Sequence, residues 1–467
     1  MSTETPSTHQ KALQINVDAR RYGTFAEIGG GQEVARWFFR VGGAAGTVAK
    51  TISAYDMAVS DAIYGPAERY VSRQRLQAML DYEFKLLSER LAPTHGDQCG
   101  LFVFADTVAT RSFSRHEEGH GWLGVRFQAE PREEPSEIII HARLLDADNW
   151  REQEALGHLG VNLLHAAFYH HHRPEELVDS LMDDLAATRA EIDMICLSGP
   201  AFAGVDNRLM SLQLVRKGFS AAALFTAEGI VVQPAELLYK RPVVVERGTF
   251  RPVTNTTLEI LASATEQMAT DPRVGGQLPL GLFEMTLRSL LAEPHEAHLD
   301  FLARVDTLNA LGHAVLISNF DSYHRLVAFL ARHTHQPIGI ALGVPSLKKL
   351  LEREAYADLE GGLLESLGRL FKRDARLLVY PALEVATGRI VTLENLRVAP
   401  SLQYLYAHLL ENDFMVPVHH WSKANLGIIP AEVRTRLETG DPAWQQMVPA
   451  PVAAMIQRER LFGLKSA

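Results

Sequence analysis

Cysteine is nearly absent: the 467-residue chain carries two, Cys99 and Cys196. A disulfide framework is therefore excluded, and a reducing, cytoplasmic setting is expected. Basic residues are outnumbered, 46 Lys and Arg against 56 Asp and Glu, for a net charge of -10. Binding along nucleic acid needs clustered cations to neutralise phosphates, so nucleic acid is not an expected partner. No apolar run approaches the roughly 18 residues of a spanning helix, and period-2 segments are too few for a barrel. No membrane role is expected. Residues 1–8 lack the basic start and apolar run of a signal peptide. What is present is ordinary for a folded protein, 47% hydrophobic and 22% charged residues, enough to bury a core without metal or disulfide staples.

The patterning divides the chain into four regions. Residues 1–95 read as a glycine-rich, helical N-terminal region whose first 20 residues are a loose polar leader. Residues 96–189 read as an α+β domain, 190–275 as an α/β nucleotide-binding-like domain, and 276–467 as an α/β domain with an irregular tail. Helical spacing covers 72–91, 150–169, 207–217, 256–268, 301–311 and 323–333. Short β-rich runs cover 101–105, 122–127, 138–142, 192–197, 222–225, 243–245, 314–318 and 338–342. Strand–helix alternation beyond residue 190 argues for a mostly parallel sheet. The expected fold class is α/β.

Several motifs invite chemistry. His116-Glu117-Glu118-Gly119-His120 fits H-E-x-x-H literally, but glycines beside the second histidine and flanking strand-like runs make it a hairpin loop rather than a zinc helix. The triplet His170-His171-His172, with His158 and His165 upstream, lacks paired metal-ligand spacing and reads as structural. No metal is expected. Residues 42–51 fail as a P-loop because lysine does not follow the last glycine. Gly29-Gly30-Gly31 lacks the dinucleotide spacing, and Glu27-Ile28-Gly29-Gly30-Gly31 offers only a short version of a methyltransferase first motif. Around these glycines lie Glu27, Glu33, Arg36, Arg40, Lys50, Tyr55, Asp56 and Asp61. Close backbone approach there suits a ligand or a second subunit, and tight helix packing is the plainer alternative.

Residues 243–268 carry the leading site. Val243-Val244-Val245-Glu246-Arg247 is a buried-strand pattern, followed by a glycine loop and a helix start, a geometry that presents backbone N–H groups to phosphate. Lys240, Arg241, Arg247 and Arg251 add positive charge, and Thr249 and Thr254 add hydroxyls. Asp206, Asn207 and Arg208 are expected to face the same cleft.

The run Gly248-Thr249-Phe250-Arg251-Pro252-Val253-Thr254 resembles the G-x-F-x-P-x-T segment that opens the nicotinamide/nicotinate-mononucleotide adenylyltransferases. In that family the loop and the following helix hold ATP phosphates, and the enzyme joins a mononucleotide to AMP with release of pyrophosphate. Here the run lies past the midpoint, and Asn255, Thr256 and Thr257 stand where the family has a histidine. A second family motif, I-S-x-T-x-x-R, has a partial echo in Ile317-Ser318-Asn319-Phe320, with Arg325 displaced. The whole chain also resembles a bacterial cytoplasmic family of unsettled role that often bears the adenylyltransferase label.

The resemblance implies a nucleotide-binding transferase of NAD biosynthesis, a nucleotidyltransferase using ATP and Mg2+. Arg247, Gly248, Thr249, Phe250, Arg251 and Thr254 would then hold a small-molecule nucleotide, with no general base identifiable. The alternative is a non-catalytic, self-assembling or regulatory protein that associates through residues 22–64. A homo-oligomer is expected.

Overall fold

The computed structural model describes residues 5–111, 118–292, 297–352, 356 and 359–465. Two compact units make up the chain, Met1–Ala221 and Ala222–Ala467.

Unit 1 is one mixed sheet with helices. Its strands are β1 (Arg21–Gly29), β2 (Val48–Ile52), β3 (Gly100–Ala109), β4 (Gly119–Phe127), β5 (Ser136–Leu144) and β6 (Ala190–Ser198). They lie in the order β2-β1-β3-β4-β5-β6. β1 runs parallel to both neighbours, and β3 to β6 are antiparallel. The helices are α1 (Thr8–Val17), α2 (Val34–Val41), α3 (Met57–Tyr64), α4 (Arg73–His95), α5 (Asn149–Tyr169), α6 (Pro174–Ser180) and α7 (Asn207–Lys217). α5 is buried along most of its length because its face is small and apolar. Gly160 lets it approach closely, since a Cβ there would stand 2.3 Å from Val34 of α2.

Three expectations change here. The described part of the expected loose leader, residues 5–20, is ordered into the fold: Ser7 and Gln10 form a capping box for α1, which buries Ala12 and Ile15. The glycine-rich region is not simply helical, because β1 and β2 lie in the same sheet as β3. The strand expected over 192–197 does not open a new domain. It pairs as β6 with β5 and completes unit 1.

Unit 2 is α/β around an eight-stranded sheet. Its strands are β7 (Ala222–Phe225), β8 (Val231–Val232), β9 (Val243–Arg247), β10 (Leu280–Thr286), β11 (Ala314–Ser318), β12 (Ile338–Gly343) and β13 (Ala375–Tyr380), then a separate hairpin of β14 (Ala382–Glu384) and β15 (Arg389–Val391), and β16 (Met415–Pro417). The order is β16-β13-β12-β9-β10-β11-β7-β8. Six of these strands are mutually parallel, and β7 and β8 extend one edge as an antiparallel hairpin. Its helices include α8 (Pro234–Leu238), α9 (Asn255–Ala269), α10 (Leu287–Leu291), α11 (Ala297–Asn309), α12 (Tyr323–His333) and α13 (Val344–Leu350). The chain runs outward from β9 through β10 to β11, then returns to lay β12 on the other side of β9. The strand order therefore reverses between β9 and β12. That is a topological switch point, where open α/β sheets form a crevice beyond the carboxyl ends of the strands.

Candidate functional site

Residues 248–254 leave the sheet at this crevice. Gly248 N–H donates to the Glu284 carbonyl at 3.0 Å, so the loop starts along β10. Phe250 turns the chain at φ 50° and buries its ring against Phe283, with centroids 4.9 Å apart. Gly248 makes room for that ring, since a Cβ would sit 2.6 Å from it. Thr254 caps α9 by accepting from Thr257 N–H at 3.2 Å, and the two threonine hydroxyls bond at 2.9 Å. Thr257 thus serves the helix cap.

The loop cations are present, and each has a carboxylate. Arg247 donates from Nε and Nη2 to the two oxygens of Glu284 at 2.7 and 2.8 Å. Ser318 donates to the same carboxylate at 2.5 Å, and the guanidinium lies 4.7 Å from the Tyr323 ring centroid. Arg251 donates to Asp300 at 2.5 Å; Arg304 also pairs with Asp300 and donates to the Thr249 carbonyl at 3.1 Å. The start of α9 is also engaged. Asn255 N–H donates to the Met447 carbonyl at 3.0 Å, and the Thr256 hydroxyl to the Asn425 carbonyl at 2.5 Å. Thr249 is the exposed residue of the loop. Glu284 and Asp300 are both committed to arginines, so these residues do not make a protein-held Mg2+ site.

One pair of expected neighbours lies elsewhere in unit 2. Lys240 and Arg241 precede β9 and stand at its amino end, away from the loop by the length of the strand. Asp206 is in unit 1, where it caps α7 and accepts from Arg208 at 2.7 Å.

Sequence reasoning missed Glu284, Asp300 and Tyr323 and met Ser318 only in a partial motif echo, because these residues are distant in the chain and are brought to the loop by the strands and helices of unit 2. It also gave Glu246 no role. The available signal was an acid at the carboxyl end of an otherwise apolar parallel strand, where ligand-facing groups gather.

The unit 1 candidates resolve differently. Glu27 and Asp106 are paired across β1 and β3. Glu27 accepts from Val34 and Ala35 N–H at 3.0 and 3.2 Å, capping α2. It also lines a cleft of 470 Å3 with Gln32, Arg36, Phe39, Arg40 and Ser53. Lys50 pairs with buried Glu83, Asp61 with Arg75 at 2.7 Å, and Asp56 caps α3. His116 and Glu117 lie outside the described residues; His120 is on β4, bonded to His141 at 3.1 Å, with Asp193 beyond it at 2.5 Å. Burial, followed by His141, pushes His120 down to about 4. His158 contacts the Thr8 hydroxyl at 2.6 Å, and His165 contacts Gln14 at 3.1 Å. No group of three metal-ligating side chains occurs among the described residues, and no helix there is long and apolar enough to cross a membrane.

No protein-family model and no curated protein matches the chain. Among solved structures it is similar to the competence/damage-inducible protein CihA of Agrobacterium tumefaciens, with 16% identity and TM-score 0.26 over 35% of this chain and 97% of that one. A CinA superfamily protein from Enterobacter cloacae shows 14% identity and TM-score 0.26 over 36% and 95%. The nicotinic acid mononucleotide adenylyltransferase of Plasmodium falciparum, complexed with APC, shows 12% identity and TM-score 0.28 over 48% and 98%. Likenesses of this size say nothing about activity.

Proposed function

We propose that unit 2 binds a nucleotide in the crevice beyond β9 and β12, as a protein of nucleotidyltransferase type. One observation carries this: residues 248–254 open from the strand at which the sheet order reverses. At such a point the strand ends, a glycine loop and a helix start converge on one ligand. Arg247 spends the Nε/Nη2 edge of its fork on Glu284. A guanidinium has five N–H donors, so a phosphate would be met by the Nη1 edge. Transfer chemistry rests mainly on positioning and charge stabilisation, and ATP would carry Mg2+ in on its own phosphates.

A second reading draws on the same pairs. Arginines already neutralised by Glu284 and Asp300, and an α9 amide already bonded to Met447, suit a protein that binds a nucleotide without transferring it. In that reading the chain is regulatory or self-assembling.

Thermal shift with ATP–Mg2+, nicotinamide and nicotinate mononucleotides, NAD and S-adenosylmethionine tests the common ground. A ligand at 100 times its Kd stabilises the folded state by about 2.7 kcal/mol. A shift with ATP or a mononucleotide is expected, and pyrophosphate release then separates transferase from binder. Silence across the nucleotides overturns both forms.

A further inference from the structure

Two buried polar groups at the switch point have no role in the loop just described. Glu246, the penultimate residue of β9, is 7% exposed, and its Oε2 has no hydrogen-bond partner. Tyr380, at the end of β13, is 1% exposed, and its hydroxyl lies beside the Glu259 carboxylate and the Ser422 backbone amide without a well-formed hydrogen bond to either. β12 runs between their strands. In register, Glu246 is beside Ala341 and Tyr380 beside Gly343, so the floor between the two polar groups is built of small residues. A Cβ at Gly343 would meet only Pro345 within 4 Å, so the floor is not filled immediately above that residue. All four residues belong to the sheet face covered by α9, for Gly339, two positions before Ala341, faces Met268 of that helix. Arg247, Glu284 and Ser318 alternate onto the opposite face.

We propose that Glu246 and Tyr380 form a subsite that reads a planar, uncharged ligand group carrying a hydrogen-bond donor beside an acceptor, such as a carboxamide or the amino-imine edge of a purine. The assignment rests on unit 2 being a nucleotide binder and specifies which part of the nucleotide enters this face. Burial holds the Glu246 carboxyl well above the usual carboxylate range, with no cation offsetting it. A neutral carboxyl offers one O–H donor and one acceptor, and a phenol offers the same pair. That combination suits an amide or an aminopurine edge and does not suit phosphate. Burial, followed by the neighbouring Glu259 carboxylate, pushes the Tyr380 hydroxyl up, so it remains a donor. Glu259 itself is occupied, accepting from Ser422 N–H at 2.5 Å and from the Asn425 amide. The unmatched Glu246 oxygen costs stability until a ligand satisfies it, which is how such a site rejects an analogue lacking the donor.

Calorimetric titration of the full chain with nicotinamide mononucleotide, nicotinate mononucleotide and AMP tests this. Wild type is expected to bind the carboxamide or AMP, and to bind the nicotinate form about 100-fold or more weakly, since its carboxylate lacks a donor. Which of the first two binds identifies the source of the donor–acceptor edge. Glu246→Gln keeps a donor and an acceptor and should bind within about threefold of wild type, whereas Glu246→Leu and Tyr380→Phe should each weaken binding about tenfold. Glu246→Leu removes a desolvated carboxyl and should melt no lower than wild type, so its loss of binding is not unfolding. Undiminished binding by Glu246→Leu and Tyr380→Phe overturns the subsite and leaves the nucleotide reading standing. Wild type that binds none of the three overturns both.

Discussion

Glu27 and Asp106 stand side by side on parallel strands of unit 1, both buried, and neither oxygen of Asp106 makes a well-formed hydrogen bond. Gly31 lets the loop close over them, since a Cβ there would lie 2.1 Å from Asp106 Oδ1. Two neighbouring carboxylates in such a site cannot both ionise at low cost. Burial raises both, the charge of Glu27 raises Asp106 further, and Glu27 is brought to about 7. The pair therefore holds a proton at neutral pH.

That proton gives unit 1 a pH dependence of definite sign. In the folded state the acids bind protons more tightly than in the unfolded chain. Their contribution is fully present below the ordinary value of 4.5 for Glu27 and is lost as pH rises towards about 7, with a span of about 3 kcal/mol. Asp106→Asn should flatten this part of the profile and raise stability at pH 8, because the introduced amide can donate to Glu27. Urea denaturation of both proteins from pH 5 to pH 8 checks it. Parallel profiles would refute the shared proton.

Arg247→Ala is expected to cost unit 2 about 3–5 kcal/mol, because it strands the wholly buried Glu284 carboxylate. Lost nucleotide binding in that variant alone would not identify a phosphate contact. Arg247→Met combined with Glu284→Gln should recover most of the loss, since the amide still accepts from Ser318. A double-mutant cycle in urea measures the coupling, and additive losses would show that the pair is not the reason.

Helix α1 is expected to be integral to unit 1. Ile15 is fully buried, so Ile15→Ala should cost about 2–5 kcal/mol. Lys11, also fully buried, donates to Asn162 at 2.9 Å and Asp183 at 2.7 Å. Removing residues 1–17 should therefore destabilise unit 1 more than Ile15→Ala does. Unchanged denaturation midpoints would restore the reading of this segment as a loose leader.

Much of the fold was legible where one periodicity dominates. The apolar run Val243-Val244-Val245 became β9, the 256–268 helix became α9, and the 72–91 and 150–169 helices became α4 and α5. β1 was hidden by its composition, Arg21-Tyr22-Gly23-Thr24-Phe25-Ala26-Glu27, which mixes glycine and charge into a strand. Gly23 is there because a Cβ would lie 2.2 Å from the Phe102 carbonyl of β3, and Glu27 because it caps α2. Both reasons depend on partners outside the local window. The candidate loop was located from sequence, but its neutralisation was not. Nothing near Arg247 and Arg251 in sequence announces Glu284, 37 residues on, or Asp300, 49 residues on.

The most direct test of nucleotide binding at the switch point is calorimetric titration of ATP–Mg2+ into wild type and Gly248→Ala. The added methyl must displace the Phe250 ring, 2.6 Å away, and reshape residues 248–254 without altering any charge. Measurable binding by wild type, weakened about tenfold or more in Gly248→Ala while the sheet still melts cooperatively, is the predicted result. Equal affinity in the two proteins, or no binding in either, would contradict it.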